Sequence, residues 1–155
     1  MSKRNKKALT LTEAILTLVI MGILAAVVLP RFGGTGLISN LKLRSTSSQI
    51  TSDIRYTRRL AITNSGYYII KFCCTLDCTS KEYRIYKNSI SPENQIGETK
   101  KISSDITCSG TDQFDFYSIG NVLFSGTGLL LSLDSSQYQI TAELPTGAVV
   151  IEKIP

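Results

Sequence analysis

The chain has 155 residues, with 17 lysines and arginines against 12 aspartates and glutamates, and no histidine. The absence of histidine excludes Ser-His-Asp and Cys-His nucleophiles and every histidine metal site. No glycine-rich loop follows a predicted strand with the spacing that cradles phosphate. We therefore expect a non-enzymatic protein without a catalytic site, a cofactor or a bound metal.

The positive charge is concentrated at the N-terminus, where Lys3, Arg4, Lys6 and Lys7 lie within the first seven residues. The rest of the chain carries 13 cations and 12 anions, a side-chain charge of only +1. The basic isoelectric point is therefore a sign of topology, and it is weak evidence for nucleic-acid binding.

A long apolar segment follows the basic head. Leu9–Leu29 has 21 residues, and a helix of that length spans about 30 Å, the thickness of the hydrocarbon core of a bilayer. The positive-inside rule places the N-terminus in the cytoplasm and the remainder of the chain outside it. A carboxylate in such a helix costs about 2 to 3 kcal/mol unless it is paired. Glu13 should therefore have a partner, unless it lies at the hydrated interface.

The basic leader, Ala8-Leu9, Glu13, the apolar run and Pro30 together resemble the N-terminus of type IV prepilins and type II secretion pseudopilins. The resemblance implies that a prepilin peptidase cuts between Ala8 and Leu9 and methylates the new amino group. It also implies that Glu13 and Pro30 serve assembly, with Glu13 neutralising the N-terminal ammonium of a neighbouring subunit. Ala8 and Leu9 depart from the Gly and Phe that the family prefers. A secretory signal peptide is the alternative, but its apolar core would be shorter and would end in an A-x-A pattern.

Four segments follow from this interpretation: a leader at 1–8, a transmembrane and assembly helix at 9–30, the outer half of the helix at 31–65, and a β-rich head at 66–155. Pro30 and the cluster Gly33-Gly34-x-Gly36 are expected to kink or interrupt the helix. Helical periodicity resumes from Leu37 to about Asn64. One apolar stripe on this helix should pack on a sheet; it consists of Leu43, Ile50, Ile54 and Ala61.

The same helix carries a predicted basic ridge beside the apolar stripe, made of Arg44, Arg55, Arg58 and Arg59. A solvated face is the simplest interpretation. An acidic neighbour in a filament or a phosphate backbone is the alternative partner.

Beyond Gly66 the pattern changes to short runs of β-branched and aromatic residues separated by turn formers. The predicted strands are Tyr67–Cys73, Glu82–Lys87, Gln113–Phe116, Asn121–Phe124, Leu129–Leu133, Tyr138–Leu144 and Ala148–Ile154, the last two as a hairpin. The predicted fold is therefore α+β and pilin-like, with a long N-terminal helix whose second half packs on an antiparallel sheet.

The segment Asp53–Ile62 and the closing Thr146–Ile151 resemble, more loosely, the H-type (GspH/FimT) minor pseudopilins. FimT-type relatives implicated in DNA uptake tend to carry arginines after the glycine of the last strand. Ala148-Val149-Val150 stand there in this chain, which argues against DNA binding.

Four cysteines lie in the part expected outside the cytoplasm: Cys73, Cys74, Cys78 and Cys108. An even number in an oxidising compartment indicates two disulfides, with three possible connectivities. A bond between adjacent cysteines would be strained, which favours one bridge within residues 73–78 and one from there to Cys108. A four-thiolate zinc site is the alternative, but the spacing lacks C-x₂-C at both ends.

The sequence thus predicts a structural minor subunit of a type II secretion pseudopilus, anchored in the bacterial inner membrane with a periplasmic head and extractable into the filament. Its expected partners are the membrane, the prepilin peptidase, other pilin or pseudopilin subunits and secreted protein cargo. The alternatives are a FimT-like minor pilin of a type IV pilus, in which Arg44, Arg55, Arg58, Arg59 or the loop lysines Lys100 and Lys101 bind DNA during uptake, and an anchored periplasmic binding protein that never assembles.

Overall fold

This computed structural model describes residues 10–32, 35–73, 81–123 and 128–154, without the side chains of 28–32 and 35. In the described residues, two α-helices precede nine strands. Helix α1 is Leu11–Phe32 and helix α2 is Thr35–Thr63. The chain divides into two units, Met1–Ile38 and Ser39–Pro155. The first contains α1, and the second contains most of α2 and all the strands.

Helix α1 is apolar on every side from Ala14 to Val27. It includes Pro30 and ends at Phe32, and α2 begins at Thr35. The kink predicted at Pro30 stays a prediction. The predicted break at Gly33 and Gly34 lies outside the described residues. No helix in the described residues has both the length and the apolar character that a membrane span requires. The predicted transmembrane segment is therefore not confirmed.

Helix α2 packs one face into the core of the second unit. All four residues of the predicted stripe, Leu43, Ile50, Ile54 and Ala61, are fully buried. Three buried hydroxyls lie on the same side of the helix, at Ser47, Thr51 and Thr57, and each donates to the carbonyl four residues earlier at 2.8 Å. Because these hydroxyls are satisfied within the helix, they enter the core without the cost of an unpaired polar group.

The strands form two antiparallel sheets. The first has the order β3-β2-β1-β5-β6 and the second the order β4-β7-β8-β9. The strand bounds are β1 Tyr68–Cys73, β2 Glu82–Lys87, β3 Gln95–Lys101, β4 Thr107–Gly110, β5 Gln113–Phe116, β6 Val122–Leu123, β7 Leu129–Leu133, β8 Ser136–Glu143 and β9 Ala148–Ile154. Side chains from α2 and from both sheets share one hydrophobic core.

Alternation of apolar and polar residues accounts for the strands that face this core. Strand β7 buries Leu129, Leu131 and Leu133, and leaves the two residues between them partly exposed. Strands β8 and β9 pair from Gln137 with Ile154 to Glu143 with Ala148, which confirms the predicted hairpin. The predicted α+β fold, with the second helix packed on antiparallel strands, is confirmed.

Candidate functional site

The N-terminal end of helix α1 is capped by Thr10. The Glu13 backbone N–H donates to the Thr10 hydroxyl at 3.3 Å, and the Ala14 N–H donates to the Thr10 carbonyl at 3.1 Å. Thr10 and Glu13 are spaced as in a capping box, in which an acidic residue follows the cap by three positions. A carboxylate in the first turn also interacts favourably with the helix dipole. Glu13 therefore lies where a carboxylate stabilises the first turn of a helix.

The large apolar side chains of α1 are exposed around the whole helix between Leu11 and Val27, with Leu11 79% accessible and Met21 71%. A helix that is hydrophobic on all sides is stable in water only when another apolar phase or other helices cover it. Glu13 is exposed at the first turn of this apolar surface.

The structure places the other N-terminal site residues as follows. Ala8 and Leu9, the predicted cleavage pair, lie outside the described residues. Pro30 lies inside α1, two residues before Phe32, the last residue of the helix.

The arginines of the predicted basic ridge on α2 differ in their contacts. The Arg55 guanidinium Nη2 donates to the Val149 carbonyl of β9 at 2.9 Å. Arg58 donates from Nε to the Gly120 carbonyl at 3.0 Å and from Nη2 to the Thr146 carbonyl at 2.9 Å. Arg55 and Arg58 therefore hold α2 to strand β9 and to two turns, which is a structural role that the sequence did not reveal.

Arg44 and Arg59 are exposed on α2. Arg44 lies eleven residues before Arg55, about 16 Å along a helix axis at 1.5 Å per residue. Spacing along the helix axis therefore divides the four arginines into two groups. Three of them lie near the C-terminal end of α2, and Arg44 is separate.

A buried carboxylate on α2 joins the helix to the first sheet. Asp53 is 9% exposed, and its two oxygens accept hydrogen bonds from Tyr83 OH of β2 and from Lys100 Nζ of β3, each at 2.6 Å. Lys100 and Lys101 were expected in a loop, but both belong to β3 and Lys100 is paired. The prediction that Lys100 and Lys101 lie in a loop is therefore wrong.

The environment of this network changes the pKa of Tyr83. Burial, followed by the hydrogen bond to Asp53, raises the pKa of the Tyr83 hydroxyl far above its usual range.

On the surface, the hydrogen bond from Lys42 and a second one from Ser103 lower the pKa of Asp105 to about 2. Lys42 Nζ lies 2.6 Å from the Asp105 carboxylate in an exposed pair.

The cysteine chemistry is described for two of the four residues. Cys73 ends strand β1 and Cys108 lies in β4, and both are disulfide-bonded. Cys74 and Cys78 lie outside the described residues, so the predicted connectivity stays a prediction. Cys108 belongs to a strand of the second sheet, so a bridge between Cys73 and Cys108 would connect the two sheets.

Two comparisons with known proteins bear on this arrangement. Residues 3–29 match the prokaryotic N-terminal methylation motif. The fold is similar to that of the type IV minor pilin FimU of Pseudomonas aeruginosa, with a TM-score of 0.53 and 12% sequence identity over 75% of this chain and 90% of that chain. At this identity the likeness is one of fold. No curated protein matches the chain.

The matched segment includes the basic head, Ala8, Leu9, Glu13 and most of the apolar helix. The rest of the chain has the pilin-like arrangement of a helix on antiparallel strands. An N-terminal methylation motif thus precedes a fold that is similar to that of a type IV minor pilin.

Proposed function

We propose that this protein is a minor pseudopilin of a type II secretion pseudopilus. In this proposal the prepilin peptidase removes residues 1–8, Leu9 becomes the methylated N-terminus, and α1 anchors the chain in the inner membrane before it enters the filament. The observation that carries the proposal is the exposed apolar surface around α1 within a matched N-terminal methylation motif. Such a surface suits a helix that is covered first by lipid and then by other subunits.

The finer likeness to the H-type minor pseudopilins is part of this proposal and depends on the loose sequence patterns near Asp53 and Thr146. A minor pilin of a type IV pilus is the second candidate, because the similar fold is that of a type IV minor pilin. DNA uptake receives less support from the arginines of α2. Arg55 and Arg58 donate to main-chain carbonyls, which reduces their availability to a phosphate backbone.

The charge of Glu13 offers a direct test of assembly, provided that its capping role is controlled. Glu13→Gln keeps a residue that suits the capping box but removes the charge, whereas Glu13→Ala removes both. If Glu13 neutralises the ammonium of a neighbour, both variants should be cleaved normally and should enter filaments at least about tenfold less than the wild type. Thr10→Ala, which removes only the cap, should enter them nearly normally.

The measurement is the amount of cleaved protein in sheared filaments relative to that in membranes. Normal incorporation of Glu13→Gln would refute the charge pair, and absence of the wild-type protein from filaments would refute the assembly function. Deletion of the gene distinguishes the two candidate functions. Loss of protein secretion supports the pseudopilus, whereas loss of pilus retraction or DNA uptake with normal secretion supports the type IV pilus.

A further inference from the structure

Four large apolar side chains are exposed where the end of α2 meets two turns. The turn after β5 exposes Ile119 (80%) and Tyr117 (39%), the turn after β8 exposes Leu144 (62%), and the last turn of α2 exposes Ile62 (45%). We call Ile62, Tyr117, Ile119 and Leu144 the turn patch. Single exposed apolar residues are ordinary, but several on adjoining segments indicate a surface that another molecule covers.

The segments of the turn patch are fixed to one another. Arg58 donates to the Gly120 carbonyl of one turn and to the Thr146 carbonyl of the other. A Cβ on Gly147 would lie 2.1 Å from the Gly120 oxygen, and one on Gly120 would lie 2.6 Å from Ile62 Cδ1, so the three segments are in close contact. The Tyr117 ring also packs on Tyr67, with centroids 5.0 Å apart. Such a surface needs little ordering when it binds a partner.

Arginines that form no ion pair among the described residues lie beside the patch. Arg55, Arg58, Arg59 and Ile62 share an arc of about 100° on α2. Lys42, Lys71, Arg84 and Lys100 each pair with a carboxylate, but none of the three arginines has an ion-pair partner among the described residues. The exposed acid closest in sequence to the patch is Glu143, next to Leu144. Because Arg55 and Arg58 already donate to main-chain carbonyls, a partner with carboxylates would chiefly complement the exposed Arg59.

We propose that the turn patch is a docking surface for a protein partner whose apolar contact residues are bordered by carboxylates. A nucleic-acid backbone would match the arginines but not the exposed Ile119 and Leu144. A second copy docked through the same patch would bring like charges together, which is unfavourable. The inference rests on the proposed function, because that function determines the compartment in which the partner is found. It adds the chemistry by which the partner is recognised.

The test uses the full chain in its native cells, with a photo-cross-linking amino acid in place of Ile119. The matched control carries the same group in place of Ile90, which is exposed at 48% in the segment between β2 and β3. Cross-linked products are identified by mass spectrometry in three further backgrounds: Arg59→Glu, Arg59→Lys and Leu144→Ser. Leader cleavage and filament incorporation are measured in the same strains.

We expect one discrete protein adduct at position 119 and not at position 90. Its yield should fall at least about fivefold in Arg59→Glu and at least about threefold in Leu144→Ser, and should stay within about twofold in Arg59→Lys. A nuclease-sensitive adduct, an adduct with a second copy, no discrete adduct, or a yield indifferent to Arg59→Glu would overturn the inference. If the protein is cleaved and incorporated but shows such a result, the inference alone fails; if it is never cleaved, the proposed function fails.

Discussion

At the scale of single residues, the charged groups of the head differ in what they contribute to folding. Asp53 is buried between α2 and two strands and accepts from Tyr83 and Lys100, whereas Asp105 is exposed and pairs with Lys42. Exposed ion pairs contribute little to stability. Removal of one member of a buried network leaves its partners without compensation, which is costly.

We therefore predict that Asp53→Asn lowers the free energy of unfolding of the head by about 1 to 3 kcal/mol. Asp105→Asn is the matched control, since it removes the same charge from an exposed pair and should leave the urea midpoint nearly unchanged. The measurement is urea unfolding of the full chain in detergent, followed by tyrosine fluorescence. Equal midpoints for the two variants would contradict the role of Asp53 in joining the helix to the sheet.

The same network predicts a loss of stability at high pH. The pKa of Tyr83 is raised in the folded state by burial and by Asp53, and burial raises the pKa of Tyr67 to about 12. A tyrosine whose folded pKa is raised contributes stability that is complete below its unfolded pKa of about 10 and is lost as the pH rises above that value.

Urea midpoints measured from pH 8 to 11 should therefore fall more steeply in the wild type than in Tyr83→Phe. The Lys100 pair is common to both chains, so the difference between the slopes reports Tyr83. Tyrosinate absorbance provides a second check, because Tyr83 should ionise only as the head unfolds. Parallel slopes would show that Tyr83 is not protected in the folded state.

Residue-scale contacts were the hardest to predict from the sequence. Asp53 is separated from Tyr83 by 30 positions and from Lys100 by 47, so no local pattern relates them. Arg55 and Arg58 donate to the main-chain carbonyl groups of Val149, Gly120 and Thr146. Every residue has such a carbonyl group, so the side chains at these positions do not predict the contacts. From the sequence these arginines were predicted to form an exposed basic ridge, because the pattern of charges does not show which main-chain carbonyl groups accept their hydrogen bonds.

At the scale of elements, side-chain periodicity located most of the fold. The bounds of β2, β5, β7 and β9 agree with the prediction, and those of β1 and β8 differ by one or two residues. The predicted Asn121–Phe124 is observed as β6, Val122–Leu123, with residues 124–127 outside the described residues. These segments are found because buried strands need β-branched and aromatic residues on their core face.

Strands β3 and β4 were missed. Strand β3 contains Gly97, Glu98 and two lysines, and β4 has only four residues and ends at Gly110. Both lie at the edge of a sheet, where charged residues and glycine are tolerated because one side of the strand has no partner.

The contact between the turns after β5 and β8 gives a prediction at this scale. Gly147 and Gly97 have almost the same positive φ, +70° and +72°. A Cβ on Gly97 meets nothing within 4 Å, whereas one on Gly147 would lie 2.1 Å from the Gly120 carbonyl oxygen. The two positions therefore separate the cost of the backbone conformation from the cost of the close contact.

We predict that Gly97→Ala lowers the free energy of unfolding by about 1 kcal/mol, the cost of a left-handed conformation for alanine. Gly147→Ala should lower it by at least about 3 kcal/mol, because the two turns must also separate. Both values come from urea unfolding of the full chain in detergent. Similar losses for the two variants would show that the turns are not in close contact.

At the scale of the whole molecule, two different kinds of surface are combined in one chain. The first unit contains an apolar helix that is exposed in the isolated chain, and the second contains a core of its own built from α2 and two sheets. The sequence allowed the helix to be predicted because an apolar run of this length with one glutamate is an unusual pattern. The turn patch could not be predicted, since its residues come from three separate segments.

The measurement that tests the central claim most directly is mass analysis of the N-terminal peptide of the protein taken from its native membrane. The proposed function predicts a mature chain that begins at N-methylated Leu9, because the prepilin peptidase both cleaves and methylates its substrates. A chain that still begins at Met1, or one cut beyond Ala25, would contradict the claim that this protein is processed as a filament subunit.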